Sequence, residues 1–343
     1  MMIQDKWRKT IALVGILVGV LLLAMGTTKL LSRTNVSENT EVNIVTSFYP
    51  IYLATNNIVA DIEGVRVVNL MEQQQGCIHD YQLTPSDMKK LEEADIFIMN
   101  GAGMESYLEK ILNTYPHLTI IDSSVGTTVL DNEGAAHEHT TTDTKEEEHE
   151  EDVHEHEEDE HEHEDEEHNH GLDNSHIWIS MNNYKVQLQN IAEGISDRYP
   201  LLRNELIENK ERYQKEIEVV QKEYDQFRAA NGEEVVIFHD AFAYLAKELG
   251  IDILYSVIVD GETSLNAGEI AKAIDVINEH QVKVIITEEQ LNASIAERIA
   301  AETGATVYTI DSLVSGDKDN GAYLRGMREN LSVLKKAFAY KED

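Results

Sequence analysis

The run Val235-Val236-Ile237-Phe238-His239-Asp240-Ala241-Phe242-Ala243-Tyr244-Leu245-Ala246-Lys247-Glu248-Leu249 contains the repeating unit of the whole chain. Its first four residues are apolar, and three of them are β-branched, so they read as a strand. The polar pair His239-Asp240 ends that strand. Ala241 to Leu249 then reads as a helix stopped at Gly250, and Ile253 to Val259 as the next strand. Downstream, helices are predicted over Asn266 to His280, Ser294 to Thr303 and Tyr323 to Ala339, with strands at Val282 to Thr287 and Thr306 to Ile310. The same rhythm runs upstream. Strands are expected at Val42 to Thr46, Val65 to Met71, Ile96 to Met99 and Leu118 to Ile121. Helices are expected at Ile51 to Ile62, Ser86 to Glu93 and Glu105 to Tyr115. Such alternation predicts an α/β protein with mostly parallel sheets.

Between these halves lies a helix over Asn183 to Arg198 and a longer one predicted from Pro200 to Ala229. Leu202, Leu206, Tyr213, Ile217, Val220, Tyr224 and Phe227 form one apolar stripe at helical spacing. A helix of that length reaches about 45 Å, more than one small domain needs. It reads as a stiff connector between two lobes of parallel sheet flanked by helices. The expected division is residues 1–35 as a signal anchor or signal peptide, 42–182 as the N-terminal lobe, 183–230 as the connecting helical segment and 233–343 as the C-terminal lobe.

At the N-terminus, Lys6, Arg8 and Lys9 precede an apolar run from Ile11 to Met25. The uncharged stretch Thr10 to Thr28 would reach about 28 Å as a helix, close to the core of a bilayer. The basic flank predicts that the N-terminus stays inside. An anchored protein on the outer face of the membrane is expected, or a periplasmic one if Ala24-Met25-Gly26 is cleaved. No cysteine follows the run, which excludes a lipoprotein anchor at this position. The single cysteine, Cys77, excludes an internal disulfide.

The formal net charge is −36, so nucleic acid and anionic membrane surfaces are poor partners and cations are good ones. Much of that charge sits between Asp131 and His170, where twenty acids stand beside one base, Lys145. The same segment holds His137, His139, His149, His154, His156, His161, His163, His168 and His170. With almost no apolar side chain it is expected to be disordered. Pairs such as His154-Glu155-His156 suit a loose collector of metal ions.

Five histidines remain. His117 beside Pro116 and His280 at a helix end read as structural. His79, His176 and His239 lie where the chain turns between elements, and Asp311 ends the strand Thr306 to Ile310. Ligands of parallel α/β sheets bind beyond the carboxyl ends of strands, so the three histidines are candidates to carry chemistry and Asp311 could converge on the same place.

The segments that hold them resemble a known family. His79-Asp80-Tyr81-Gln82-Leu83-Thr84-Pro85-Ser86-Asp87, Asn174-Ser175-His176-Ile177-Trp178, Phe238-His239-Asp240-Ala241-Phe242 and Tyr308-Thr309-Ile310-Asp311-Ser312-Leu313 follow one another as in the metal-binding A-I cluster of ABC-transporter solute-binding proteins. An acidic, His-rich insertion before the second segment is similar to the zinc branch. Gly76-Cys77 departs from the usual lead-in to the first segment. The resemblance implies His79, His176, His239 and Asp311 as ligands of a cleft between two lobes. It implies Zn2+ as transported cargo rather than cofactor, and a permease with its ATPase as partners of a monomer.

Three imidazoles and one carboxylate suit tetrahedral zinc, whereas manganese prefers more oxygen. His239 stands where manganese-binding relatives carry a carboxylate. Asp240, Glu288 and Glu289 are candidates to support the ligands from behind, and Tyr81 and Trp178 to wall the site. Zinc affinity is expected to fall below about pH 6. Alternatives are a manganese or iron carrier of the same family, a metal-binding adhesin or buffer, and a zinc hydrolase. The hydrolase is disfavoured because no His-Glu-x-x-His occurs.

Overall fold

A computed structural model describes residues 41–71, 81–108, 113–131, 136–138, 173–227, 232–257, 267–289 and 293–339. In the first half, β1 (Val42–Thr46), α1 (Tyr49–Ile58), β2 (Val65–Asn69), α2 (Pro85–Glu92), β3 (Ile96–Met99) and β4 (Thr119–Asp122) follow the predicted alternation. Their sheet has the order β2-β1-β3-β4. β3 runs parallel to both neighbours, with Phe97 opposite Val45 on one side and Ile120 on the other. Ile96, Phe97 and Ile98 are wholly buried. A strand covered on both faces cannot alternate apolar with polar residues, which is why β3 reads as an unbroken apolar run.

Helix α2 starts at a capping box: the Thr84 hydroxyl accepts from Asp87 N, and the Asp87 carboxylate accepts from Thr84 N. Burial alone would push the Asp87 carboxyl up, but hydrogen bonds from Thr84, Tyr81 and Lys90 hold it below the usual carboxylate value. Tyr81, expected to wall the site, donates to this carboxylate at 2.8 Å.

A small antiparallel sheet follows, with β5 (Thr128–Asp131) between β6 (Ala136–Glu138) and β7 (Asp173–Asn174). Pairing thus extends past Asp131 into the segment expected to be without structure. Ladder hydrogen bonds join backbone groups, so acidic and histidine side chains do not prevent them. His137 lies in β6, opposite Val129. The other eight histidines of that segment lie outside the described residues.

Two long helices come next, α3 (Met181–Arg198) and α4 (Arg203–Phe227). The helix predicted from Pro200 begins instead with a 3-10 turn, Pro200–Leu202, and α4 starts at Arg203. It spans 25 residues, about 37 Å rather than 45. Leu206, Tyr213, Ile217, Val220, Tyr224 and Phe227 form its buried stripe as expected, while Leu202 is only half-buried. Asn209 fills the gap in the stripe. Its side-chain amide donates to Ile58 O and Ala60 O at 3.0 and 2.8 Å, taking up carbonyls left open at the end of α1.

The second sheet is built from β8 (Glu234–Phe238), α5 (Ala243–Leu249), β9 (Asp252–Val257), α6 (Ala267–His280), β10 (Val284–Glu288), α7 (Ser294–Thr303), β11 (Thr306–Ile310) and α8 (Ala322–Ala337). Its strands are parallel throughout, in the order β11-β10-β8-β9. All five residues of β10 are buried. Val236, Phe238 and Ile285 pack with Ala273 and Ile277 of α6 and with Ala296 and Ile299 of α7. Each fully buried Ile, Val or Phe contributes about 1.5–3 kcal/mol.

Both sheets belong to one compact unit, Asn43–Asp343. Helix α4 touches helices of both. Asn209 holds α1, while Tyr224 donates to Met327 O of α8 at 2.6 Å and Glu223 pairs with Arg328 at 3.1 Å. Tyr184 of α3 stacks on Tyr323 of α8 with ring centres 3.9 Å apart and donates to Pro50 O of α1. Among the described residues no helix is long and apolar enough to cross a membrane. The run Ile11 to Met25 lies outside them, as do His79 and Cys77.

Candidate metal centre

The parallel register of the second sheet brings chemistry to one edge. Val284 of β10 lies opposite Val235 of β8, and Ile286 opposite Ile237. Two residues further on, the same alignment sets Glu288 beside His239. Glu288 in turn lies opposite Ile310 of β11, immediately before Asp311. Three strand ends therefore carry His239, Glu288 and Asp311 to the carboxyl edge of the sheet, where ligands of such folds bind.

His239 leaves the strand with φ 104° and ψ 132°. A non-glycine residue in that region costs about 1–3 kcal/mol and is held there by its surroundings. Its backbone N–H donates to Val257 O at 3.1 Å, and the 3-10 turn Asp240–Phe242 follows at once. The imidazole is buried. Its Nδ1 lies 3.0 Å from Glu288 Oε2, which is also buried, and its Nε2 lies 3.7 Å from Asp240 Oδ1. A carboxylate is only an acceptor, so the tautomer that suits Glu288 has its proton on Nδ1 and its lone pair on Nε2.

His176 approaches from the other side of the site. It follows β7 and opens the 3-10 turn Ile177–Ile179. Its Nδ1 lies 2.9 Å from Asn174 Oδ1 and 3.5 Å from Asp240 Oδ1. The two imidazoles meet edge to face with ring centres 4.6 Å apart. One ligand atom each from His176, His239 and Asp240 lie within 4.8 Å of one another. Trp178, expected as a wall, stands with its ring centre 5.2 Å from that of His176.

Among the described residues that group does not include Asp311. Asp311 is held nearby by its own frame. Its backbone N–H and C=O exchange hydrogen bonds with the buried Asn330 side chain of α8 at 2.8 and 2.7 Å, and its Oδ1 accepts from Leu313 N at 2.8 Å. Gly326 allows α8 to come this close: a Cβ there would stand 2.2 Å from Leu313 Cδ2. Glu289 is exposed and out of phase with Glu288, since side chains alternate along a strand. Partial desolvation raises its carboxyl above the usual value, and the charges of Asp311 and Glu329 add to this. Tyr49 is pushed up to about 12, first by burial and then by Asp311, Asp317 and Asp319. Asp311 contributes to both shifts, so its carboxylate adds negative charge there, which favours a cation.

Two buried imidazoles and a carboxylate within one small volume form a donor set suited to zinc. Asp240 and Glu288, expected only as support, lie within 3.0–3.7 Å of the imidazole nitrogens. Asn174 was given no role by sequence reasoning, although its position two residues before His176 is an available signal. Asparagine side chains commonly bond the backbone N–H two residues on, and His176 N donates to Asn174 Oδ1 at 3.1 Å.

Comparison with known proteins agrees with this architecture. The chain is 28% identical over 313 residues to the high-affinity zinc uptake system protein ZnuA of Bacillus subtilis (strain 168), covering 89% of this chain and 90% of that protein. It is 27% identical over 306 residues to the zinc-binding protein AdcA of Streptococcus pyogenes serotype M3 (strain ATCC BAA-595 / MGAS315), covering 86% of this chain but only 56% of AdcA. The solute-binding protein FpvC of P. aeruginosa, solved with Ni2+, superposes with a TM-score of 0.70 at 20% identity, over 89% of this chain and 99% of that one, and so shares the fold. Residues 44–337 match the profile of the ZnuA family, described as zinc-uptake complex component A, periplasmic, and the chain belongs to that family.

Proposed function

We propose that this protein captures Zn2+ outside the cytoplasm and delivers it to an ABC importer consisting of a permease and its ATPase. The observation that supports this most is the pair of buried imidazoles, His176 and His239, converging with Asp240 and backed by Asn174 and Glu288. His79, His176, His239 and Asp311 are the proposed ligands, with Asp240 and Glu288 supporting them. Such a set closes a tetrahedral site and leaves no position for reactive water, so the protein acts as a carrier and not as an enzyme. Zinc is its cargo.

In this reading residues 42–182 and 233–343 are the two lobes, and 183–230 connects them. The segment 1–35 directs export and tethers the monomer to the membrane. The His-rich segment gathers zinc at lower affinity, because ordering backbone around an ion costs about 1–2 kcal/mol per residue.

Competition calorimetry on the full-length chain and on His239→Ala, with zinc and manganese offered, tests the reading. Tight zinc binding that the substitution abolishes is expected. Tight manganese binding, or zinc binding indifferent to His239, would overturn it.

A further inference from the structure

We propose that Asn174 is a positioning residue that joins the two halves of the metal site through the two ends of one amide. The inference rests on the zinc-binding reading above and adds to it a residue that touches no metal.

Asn174 lies in β7 and is 1% exposed. Its Nδ2 donates to Asp240 O at 2.8 Å, which ties it to the turn that carries His239. That bond decides which way the amide faces, because a flipped amide would set two oxygens against each other. Oδ1 therefore points to His176. There it accepts from the backbone N–H at 3.1 Å and meets ring Nδ1 at 2.9 Å. A carbonyl oxygen cannot donate, so the neutral His176 ring carries its proton on Nδ1 and its lone pair on Nε2. The backbone of Asn174 is anchored as well. Its N-terminal neighbour pairs with β5, and its carbonyl accepts from Tyr244 OH, a hydroxyl that also accepts from Leu130 N at 3.0 Å.

The same residue thus sets the tautomer of one imidazole and the distance to the turn bearing the other. Glu288 serves His239 differently, with a charge and from within the same sheet. Asparagine is required by this arrangement. An aspartate would keep the acceptor for His176 but turn a second oxygen toward Asp240 O, and would break the tie between the halves.

The test compares Asn174→Asp and Asn174→Ala with the unmodified full-length chain. Two readouts are taken: chelator competition for zinc, and ring nitrogen-15 shifts of His176 in zinc-free protein, assigned with His176→Gln. The unmodified chain is expected to show His176 protonated at Nδ1. Asn174→Asp is expected to keep that tautomer yet bind zinc about 10–100-fold more weakly, as losses of outer hydrogen bonds at metal sites do. Asn174→Ala is expected to lose both the tautomer and the affinity. Zinc binding by Asn174→Asp equal to that of the unmodified chain, or an Nε2-protonated His176 in the unmodified chain, would overturn the proposal. Should Asn174→Ala not fold, the near-isosteric Asn174→Asp carries the test. Failure of the unmodified chain to bind zinc would refute the zinc reading instead, and the tautomer measurement would still judge Asn174.

Discussion

His239 Nδ1 and Glu288 Oε2 lie 3.0 Å apart, both buried, at the ends of adjacent parallel strands. The contact orients the imidazole and makes it a better donor to a metal. Glu288→Gln keeps the shape but removes the charge. It is expected to weaken zinc binding about 10–100-fold with little change in thermal stability. Chelator competition on the two proteins checks this, and equal affinities would make Glu288 merely a packing residue.

Trp178 links the two sheets. Its Nε1 donates to Ser312 O at 2.8 Å, its carbonyl accepts from Tyr323 OH at 2.9 Å, and its ring meets Phe48 edge-on with centres 4.9 Å apart. Trp178→Phe removes the indole N–H and part of the wall beside His176. A loss of about 1–3 kcal/mol in stability is expected, together with weaker zinc binding. Denaturant titration with and without zinc measures both effects.

Glu105 is a buried acid in the turn that follows β3, outside the metal site. Burial pushes its carboxyl up to about 7, although Asn100 N and Gly101 N donate to it and lower it in part. Between about pH 4.5 and 7 the folded protein therefore holds a proton that the unfolded chain has lost. Stability from this group is greatest below pH 4.5, declines as pH rises to about 7, and is flat beyond. Glu105→Gln should abolish that decline. The comparison is of urea midpoints at pH 5, 6, 7 and 8. A variant with the same slope as the parent would mean that Glu105 is ionised throughout.

Removal of residues 141–170 spares β6 and the hairpin-like sheet that leads to His176. One tight zinc per chain is expected to remain, with the weaker equivalents lost. Calorimetric stoichiometry decides this. Disappearance of the tight site would mean that the loop supplies its ligands.

Much of this molecule was legible from local pattern. Apolar β-branched runs such as Val235 to Phe238 and Ile96 to Met99 announce strands buried on both faces, because their neighbours in the chain alone carry that signal. The stripe Leu206 to Phe227 announces α4 for the same reason. The position of His176 and His239 beside turns marks them as candidates, and the two imidazoles do meet.

What the tertiary structure alone decided is which groups meet. Strand register selected Glu288 over Glu289 to face His239, a choice of one residue that reverses the face of a strand. Packing between the sheets brought His176 to His239 and, among the described residues, placed Asp240 within their group. It also gave Asn174 its two partners and let Asn209 interrupt an apolar stripe to close the end of α1. These are contacts between residues far apart in the chain. Periodicity reports only on a residue's own element, so the fold class could be read from the sequence, whereas the assembly of the site depended on long-range pairing and packing.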